Sequence, residues 1–150
     1  MKTKIKLDLP DAQEIIRRKG LGPRGGAQLF HTGNVLRRME KYIPKDTSAL
    51  IKQTVIATSY RTNEIRHPGP YANYLFGGKV MIDPKINAAG FMTDKGWRSR
   101  KGAVKILTDR DLDLTKGKNK DATAHWDRAL VQREGKELVK ELQEYIDGRK

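Results

Sequence analysis

Ile5, Leu7 and Leu9 alternate with Lys4, Lys6 and Asp8, which is the period of a short strand with one buried face. Pro10-Asp11 then opens a short helical turn carrying Ile15 and Ile16, and Lys19-Gly20 closes it. The breaker-rich stretch from Gly20 to Gly26 leads into a second helix, over about residues 25–42. There Val35, Leu36, Met39, Tyr42 and Ile43 recur at i, i+1, i+4, i+7 and i+8, a stripe that faces a core. Pro44 ends this helix, because the residue before a proline is driven out of the helical region.

After the turn Pro44 to Ser48, the run Leu50, Ile51, Thr54, Val55, Ile56 and Thr58 is rich in β-branched residues and reads as a strand. A return strand around Glu64-Ile65-Arg66 would complete a hairpin. His67-Pro68-Gly69-Pro70 interrupts it, and Tyr71, Ala72, Tyr74, Leu75 and Phe76 form one compact aromatic turn of helix capped by Gly77-Gly78. Lys79 to Ile82 is a further short strand.

From Asp83 to Ala122 no period is sustained. Apolar islands (Phe91-Met92, Trp97, Val104 to Leu107, Leu112 and Leu114) stand among Gly, Asn, Asp and Lys. So long an irregular stretch is uncommon inside a compact domain unless it has a task, so residues 83–122 are expected to form a hairpin-bearing arm. Fully extended it would span about 130 Å, enough to touch a neighbouring molecule. Residues 123–147 are the plainest element. Val131, Leu138, Leu142 and Tyr145, flanked by Trp126, Leu130 and Ile146, predict a long amphipathic helix, with Arg133/Glu137 and Lys140/Glu144 as supporting i, i+4 pairs. The expected fold class is α+β: a single domain over residues 1–150, with a small antiparallel β-sheet packed against N-terminal helices and a long C-terminal helix, plus the extended arm.

Composition adds a strong charge to this frame. The 150 residues hold 31 Lys and Arg against 18 Asp and Glu, a formal net charge of +13. Residues 1–60 carry 12 basic and 5 acidic side chains, residues 61–121 carry 13 and 7, and residues 122–150 carry 6 and 6. The terminal helix is therefore neutral and the body holds the field. Its densest cluster is Lys95, Arg98, Arg100, Lys101 and Lys105, uninterrupted by acid; Lys116, Lys118 and Lys120 form a second. Such clusters attract phosphate backbones, and Trp97 among them could stack on a base, or the same charge could seek an acidic protein neighbour. The absence of cysteine excludes disulfides, thiolate metal sites and a catalytic cysteine. No apolar run approaches the ~18 residues of a membrane span, so a soluble, unprocessed chain without membrane contact is expected.

Candidate chemistry is sparse. Gly20, Gly22 and Gly25 match G-x-G-x-x-G, but the fingerprint needs a strand before it and free helix amides after it, whereas the preceding residues read as helix and Pro23 lacks an amide. An interhelix joint is the expected role. Asp109, Asp111 and Asp113 imitate the start of a calcium loop, yet Leu114 and Lys120 stand where that loop needs a glycine and a bidentate acid. His31, His67 and His125 have no partners at metal-ligand spacing, and His125 beside Trp126 reads as a packing or capping residue. No nucleophile elbow, zinc-protease or phosphate-loop pattern occurs, so neither an enzyme nor a cofactor is expected. Tyr71, Tyr74, Phe76 and Trp97 are the remaining distinctive group, either core or an interface anchor.

Six ordered blocks (Gly25 to Gln28, Tyr42 to Ile51, Pro70 to Met81, Gly96 to Ser99, Thr108 to Leu112 and Ala124 to Ala129) resemble the minor capsid proteins of tailed bacteriophages and, more distantly, the tail-completion or head–tail joining superfamily. Ser48 stands where the pattern has glycine, a replacement that disfavours a positive-φ turn, and Asn73 and Ala122 also depart from it. The resemblance implies a non-enzymatic virion protein of the phage neck, made in the host bacterial cytoplasm. It would assemble with itself into a hexameric ring between the head-completion (stopper) protein and the tail terminator or tail tube protein, and phage DNA would pass through the lumen. The expected contact residues are Tyr71, Tyr74, Phe76, Trp97, Arg98, Arg100, Lys101 and Lys105. A basic nucleic-acid-binding module is the alternative. A lumen should not grip the DNA moving through it, so the basic cluster at residues 95–105 is expected to face acidic protein neighbours.

Overall fold

The structure, a computed structural model, describes residues 11–45, 48–58, 64–69 and 71–148. The strand expected at Ile5 to Leu9 lies outside these residues. In chain order the elements are α1 (Ala12–Arg18), α2 (Gly26–Met39) running into a 3-10 turn (Glu40–Tyr42), α3 (Ala49–Ala57), α4 (Ala72–Gly77), β1 (Lys79–Ile82), β2 (Phe91–Thr93), β3 (Gly96–Arg98), β4 (Ile106–Asp111), a second 3-10 turn (Leu114–Lys116) and α5 (Trp126–Asp147). The architecture is α+β, with two small antiparallel ribbons, β1 with β4 and β2 with β3, and a long C-terminal helix.

The apolar stripe of α2 does what its spacing dictates. Met39, Tyr42 and Ile43 meet Ile51 of α3 and Trp126, Leu130 and Leu138 of α5 in one buried cluster, with Val35, Leu50, Ile65, Leu75, Phe76 and Ala129 against its rim. Ile43 turns extended before Pro44, as the proline requires. The joint between α1 and α2 is compact: Leu21 N–H donates to the Ile16 carbonyl at 2.9 Å and Ala27 N–H to the Gly20 carbonyl at 3.1 Å. A helix, not a strand, precedes the glycines, so the geometry of a dinucleotide fingerprint is not present.

Two sequence expectations fail here for the same reason. The β-branched run 49–57 is a helix, α3, and Glu64 to Arg66 form no strand beside it, so the hairpin does not exist among the described residues. Positions 50, 51, 54, 55 and 58 carry a helical period, and burial of Ile51, Thr54 and Thr58 against the core outweighs strand propensity. Thr54 satisfies its hydroxyl inside the helix by donating to the Leu50 carbonyl at 2.8 Å. Ser48, at the N-cap of α3, adopts φ 65° despite its side chain, so the left-handed turn is kept without glycine.

The stripe of α5 is also displaced from its expected centre. Val131 is 67% exposed, while Trp126, Leu130, Glu134 and Leu138, spaced by four, face inward. The helix begins at Trp126, three residues after its expected start. Glu134 is a buried acid in the middle of that face. It accepts hydrogen bonds from the Tyr42 hydroxyl and Arg38, each at 2.5 Å, and pairs with Lys41 at 2.5 Å. Arg38 also reaches Glu141, which Asn34 holds from the other side. Burial alone would raise the Glu134 carboxyl, but bonds from Lys41, Tyr42 and Arg38 pull it down to about 2. Arg133 lies 3.9 Å from Asp121 across the loop.

The expected arm, residues 83–122, contains two unlike parts. Residues 112–122 lie on the body: Leu112 N–H donates to the Gly78 carbonyl at 2.8 Å, Lys118 N–H to that of Lys45 at 2.6 Å, and the Asn119 amide to the Glu40 and Ile43 carbonyls at 2.6 and 2.8 Å. Ala122 is buried. Gly78 is the pivot between α4 and β1. Its φ is +66°, and a Cβ there would come within 2.5 Å of the Ala124 Cβ, so the close approach of the arm's root to the start of α5 needs glycine.

Candidate interaction site

Residues 79–111 build the arm proper. β1 and β4 pair antiparallel, with Met81 opposite Leu107 and Ile82 opposite Ile106, and an irregularity between Lys79 and Met81. A second ribbon forms the tip: Phe91 faces Arg98, Met92 faces Trp97 and Thr93 faces Gly96 around the turn residues Asp94-Lys95. Thr93 closes that turn by donating its hydroxyl to the Gly96 carbonyl at 2.7 Å.

The two ribbons are locked together by polar groups. Asp83, 1% exposed, bridges to Ala88 and accepts from Arg100 through Nε at 2.7 Å and a terminal nitrogen at 2.9 Å, and from the Lys85 amide at 2.9 Å. The Arg100 hydrogen bonds hold its carboxyl below the usual carboxylate range against the opposing effect of burial. Lys105 donates to the Ala89 carbonyl at 2.7 Å and to Ser99 Oγ at 2.9 Å. Gly90 lets the strands close: a Cβ there would stand 2.5 Å from the Arg98 carbonyl oxygen and 2.7 Å from Trp97 Nε1.

The arm is covered on one strand only: β1 is half-buried and ends at buried Ile82, whereas β4 and the tip are exposed. Successive residues of a strand point to opposite sides, so a ribbon lying on a core buries every second side chain. In β4 Ile106 and Leu107 are adjacent and both exposed, at 49% and 65%. At the tip Met92 is 71% and Trp97 57% exposed, Phe91 is exposed beside them, and Val104 in the return loop is 82% exposed. A short two-stranded ribbon is marginal in water on its own, and a cluster of large apolar side chains left exposed on it marks a surface that joins something else. Lys95 and Arg98 stand exposed on this tip and Lys101 in the return loop with Val104, so the exposed surface is both apolar and cationic.

The residues singled out in the sequence therefore do not form one site. Trp97 and Arg98 belong to the exposed tip, and Lys101 is exposed in the return loop after it. Arg100 and Lys105 are spent on holding the arm's own shape. Tyr74 on α4 and Tyr71 at its N-cap are exposed, and Tyr71 with Pro44, Leu50, Pro68 and Leu75 lines an open groove of about 570 Å³. Phe76 turns inward, edge-on to Trp126 and to His125 with ring centroids 4.9 Å apart in each case. His125 sits at the N-cap of α5 with φ 49° and packs on Phe76; its side chain makes no cap bond. Met92, Phe91 and Val104 are legible in the sequence only as apolar islands, and Asp83 only as the first residue of the irregular stretch.

The remaining acidic and basic clusters are tied locally. Asp111 pairs with Lys79 at 2.5 Å, Asp113 accepts from Thr115 in the second 3-10 turn, and Lys120 donates to the Thr115 and Gly117 carbonyls. Among the described residues no group of His, Asp or Glu is arranged to hold a metal ion, and no helix is long and apolar enough to cross a membrane. No family model, curated protein or solved structure matches the chain.

Proposed function

We propose that this chain is a structural, non-enzymatic subunit of the neck of a long-tailed bacteriophage. In this reading copies close into a ring that joins the head-completion layer to the tail terminator or tube, and DNA passes through the centre. The observation that carries it is the arm: a polar-locked ribbon whose strand β4, return loop and hairpin tip leave Met92, Trp97, Val104, Ile106 and Leu107 exposed. A shape that is fixed internally and presents exposed apolar side chains suits head-to-tail contacts, which form a ring when the rotation between copies closes. The six-block sequence resemblance points to the same assembly. The apolar tip with its cations fits a protein surface bearing acidic side chains, where charge sets orientation and apolar area gives affinity.

The test separates the tip's charge from the arm's fold. Arg98→Glu with Lys101→Glu reverses two exposed cations and leaves the Arg100–Asp83 pair intact. The double variant is expected to keep the melting temperature of the parent and to lose at least tenfold in the yield of infectious particles when mixed with separately purified heads and tails. Full joining by the double variant contradicts the reading. The second reading, a nucleic-acid-binding module, is favoured by Trp97 standing exposed next to Arg98 on β3. Binding of short DNA at near-physiological salt, falling steeply with added salt and abolished in the same variant, would select it.

A further inference from the structure

Trp126, 1% exposed, has an indole N–H that can only donate, and it donates to His67 Nε2 at 3.2 Å. Nε2 must then be bare and the imidazole proton must sit on Nδ1, 2.9 Å from the hydroxyl of fully buried Thr54. Thr54 in turn gives its own proton to the Leu50 carbonyl. Each hydrogen in this chain has one place to go. A second proton on His67 would set two N–H groups against each other between His67 and Trp126.

We propose that His67 is a proton-operated clamp, closed when neutral, that ties α3 and the 64–69 segment to the first residue of α5. This goes beyond the assembly role and holds whichever partner the arm takes. The connection runs onward to the arm's root: Trp126 packs edge-on against Phe76 of α4, and the His125 amide donates to the Phe76 carbonyl at 2.9 Å, two residues before Gly78. The clamp therefore adjoins the joint from which the arm projects, through the Trp126–Phe76 contact.

The groups around His67 set the direction. From α3 it meets the neutral Thr54 hydroxyl, and from α5 the Trp126 ring, at 5.2 Å between centroids, and the charge of Asp127. On its own segment Arg66 is engaged by Glu64 at 2.7 Å. Burial lowers the imidazole below its ordinary value, and Asp127 opposes this without reversing it. A depressed imidazole stabilises the fold fully above about pH 6.5, and that stability is lost as pH falls through the folded-state value.

Nitrogen-resolved NMR of the histidine rings of the full chain tests the clamp. At pH 7.5 His67 is expected as the Nδ1–H tautomer. Its titration midpoint should fall below about 6.5, with the Trp126 indole resonance shifting at the same midpoint. An Nε2–H tautomer, a midpoint at or above the ordinary value, or an indole signal that ignores the titration overturns the proposal. His67→Gln supplies an amide oxygen for the indole and cannot take up a proton, so its Trp126 resonance should be flat between pH 7.5 and 5. An unchanged titration in that variant assigns the effect to another group and also overturns it; if the variant fails to fold, the wild-type tautomer and midpoint still decide.

Discussion

Glu134→Ala is expected to lower the unfolding free energy by about 3 kcal/mol, measured as a shift of the urea midpoint at unchanged slope. The acid is buried on α5 and its three partners come from the end of α2 and the following 3-10 turn, so its loss strikes the principal helix–helix contact. Arg38 retains Glu141, which keeps the effect at the low end for breaking a buried pair. Lys41 is half exposed and can turn to water, whereas the Tyr42 hydroxyl is left inside without an acceptor. Acid should act in the same direction. With the Glu134 carboxyl at about 2 in the fold against an ordinary 4.5, its contribution is present above pH 4.5 and disappears as pH falls towards 2. A midpoint for Glu134→Ala within experimental error of the parent would remove this network from the account.

The second large effect separates assembly from stability. Deleting Phe91 to Arg98 and joining Gly90 to Ser99 through an Asn-Gly turn removes the tip while keeping Asp83, Arg100 and Lys105 in place. The deleted residues contribute none of the buried core, so the change in unfolding free energy should stay within about 0.5 kcal/mol. Joining of heads to tails should nevertheless fall to background, because the deletion takes away Met92, Trp97 and Arg98 together. A tip-less chain that still completes particles would show that the exposed ribbon serves another purpose.

Much of the body was legible because side-chain period and burial agree there. Val35 to Ile43 announce a helix stopped by proline, and Tyr71 to Gly78 announce a helical turn with a left-handed glycine after it. Where two signals compete, the sequence displays the weaker one more plainly. In α3 the β-branched composition masked a helical spacing that the core rewards, and in α5 the eye follows Val131 because Glu134 looks like a surface residue. A buried acid becomes visible only when Arg38, Lys41 and Tyr42 arrive from a segment some ninety positions away in sequence.

The arm was legible as an irregular, basic stretch with apolar islands, and no further. Pairing of β1 with β4 across more than twenty residues leaves no local periodicity, and the lock between Asp83 and Arg100 joins residues of opposite charge that sequence spacing does not relate. Charge density alone put Arg100 and Lys105 on the contact surface beside Arg98 and Lys101. The hydrogen-bonding of their side chains to Asp83, Ala89 and Ser99 divides that cluster into cations that shape the arm and cations free to face outward.

Replacing Trp97 with a benzoyl-phenylalanine photo-cross-linker and irradiating assembled particles tests the central claim most directly. The account requires a covalent product between position 97 and a virion protein of the neck, either another copy of this chain or an adjoining head or tail layer. Products confined to DNA, or no cross-link from one copy to any other protein molecule, would contradict it.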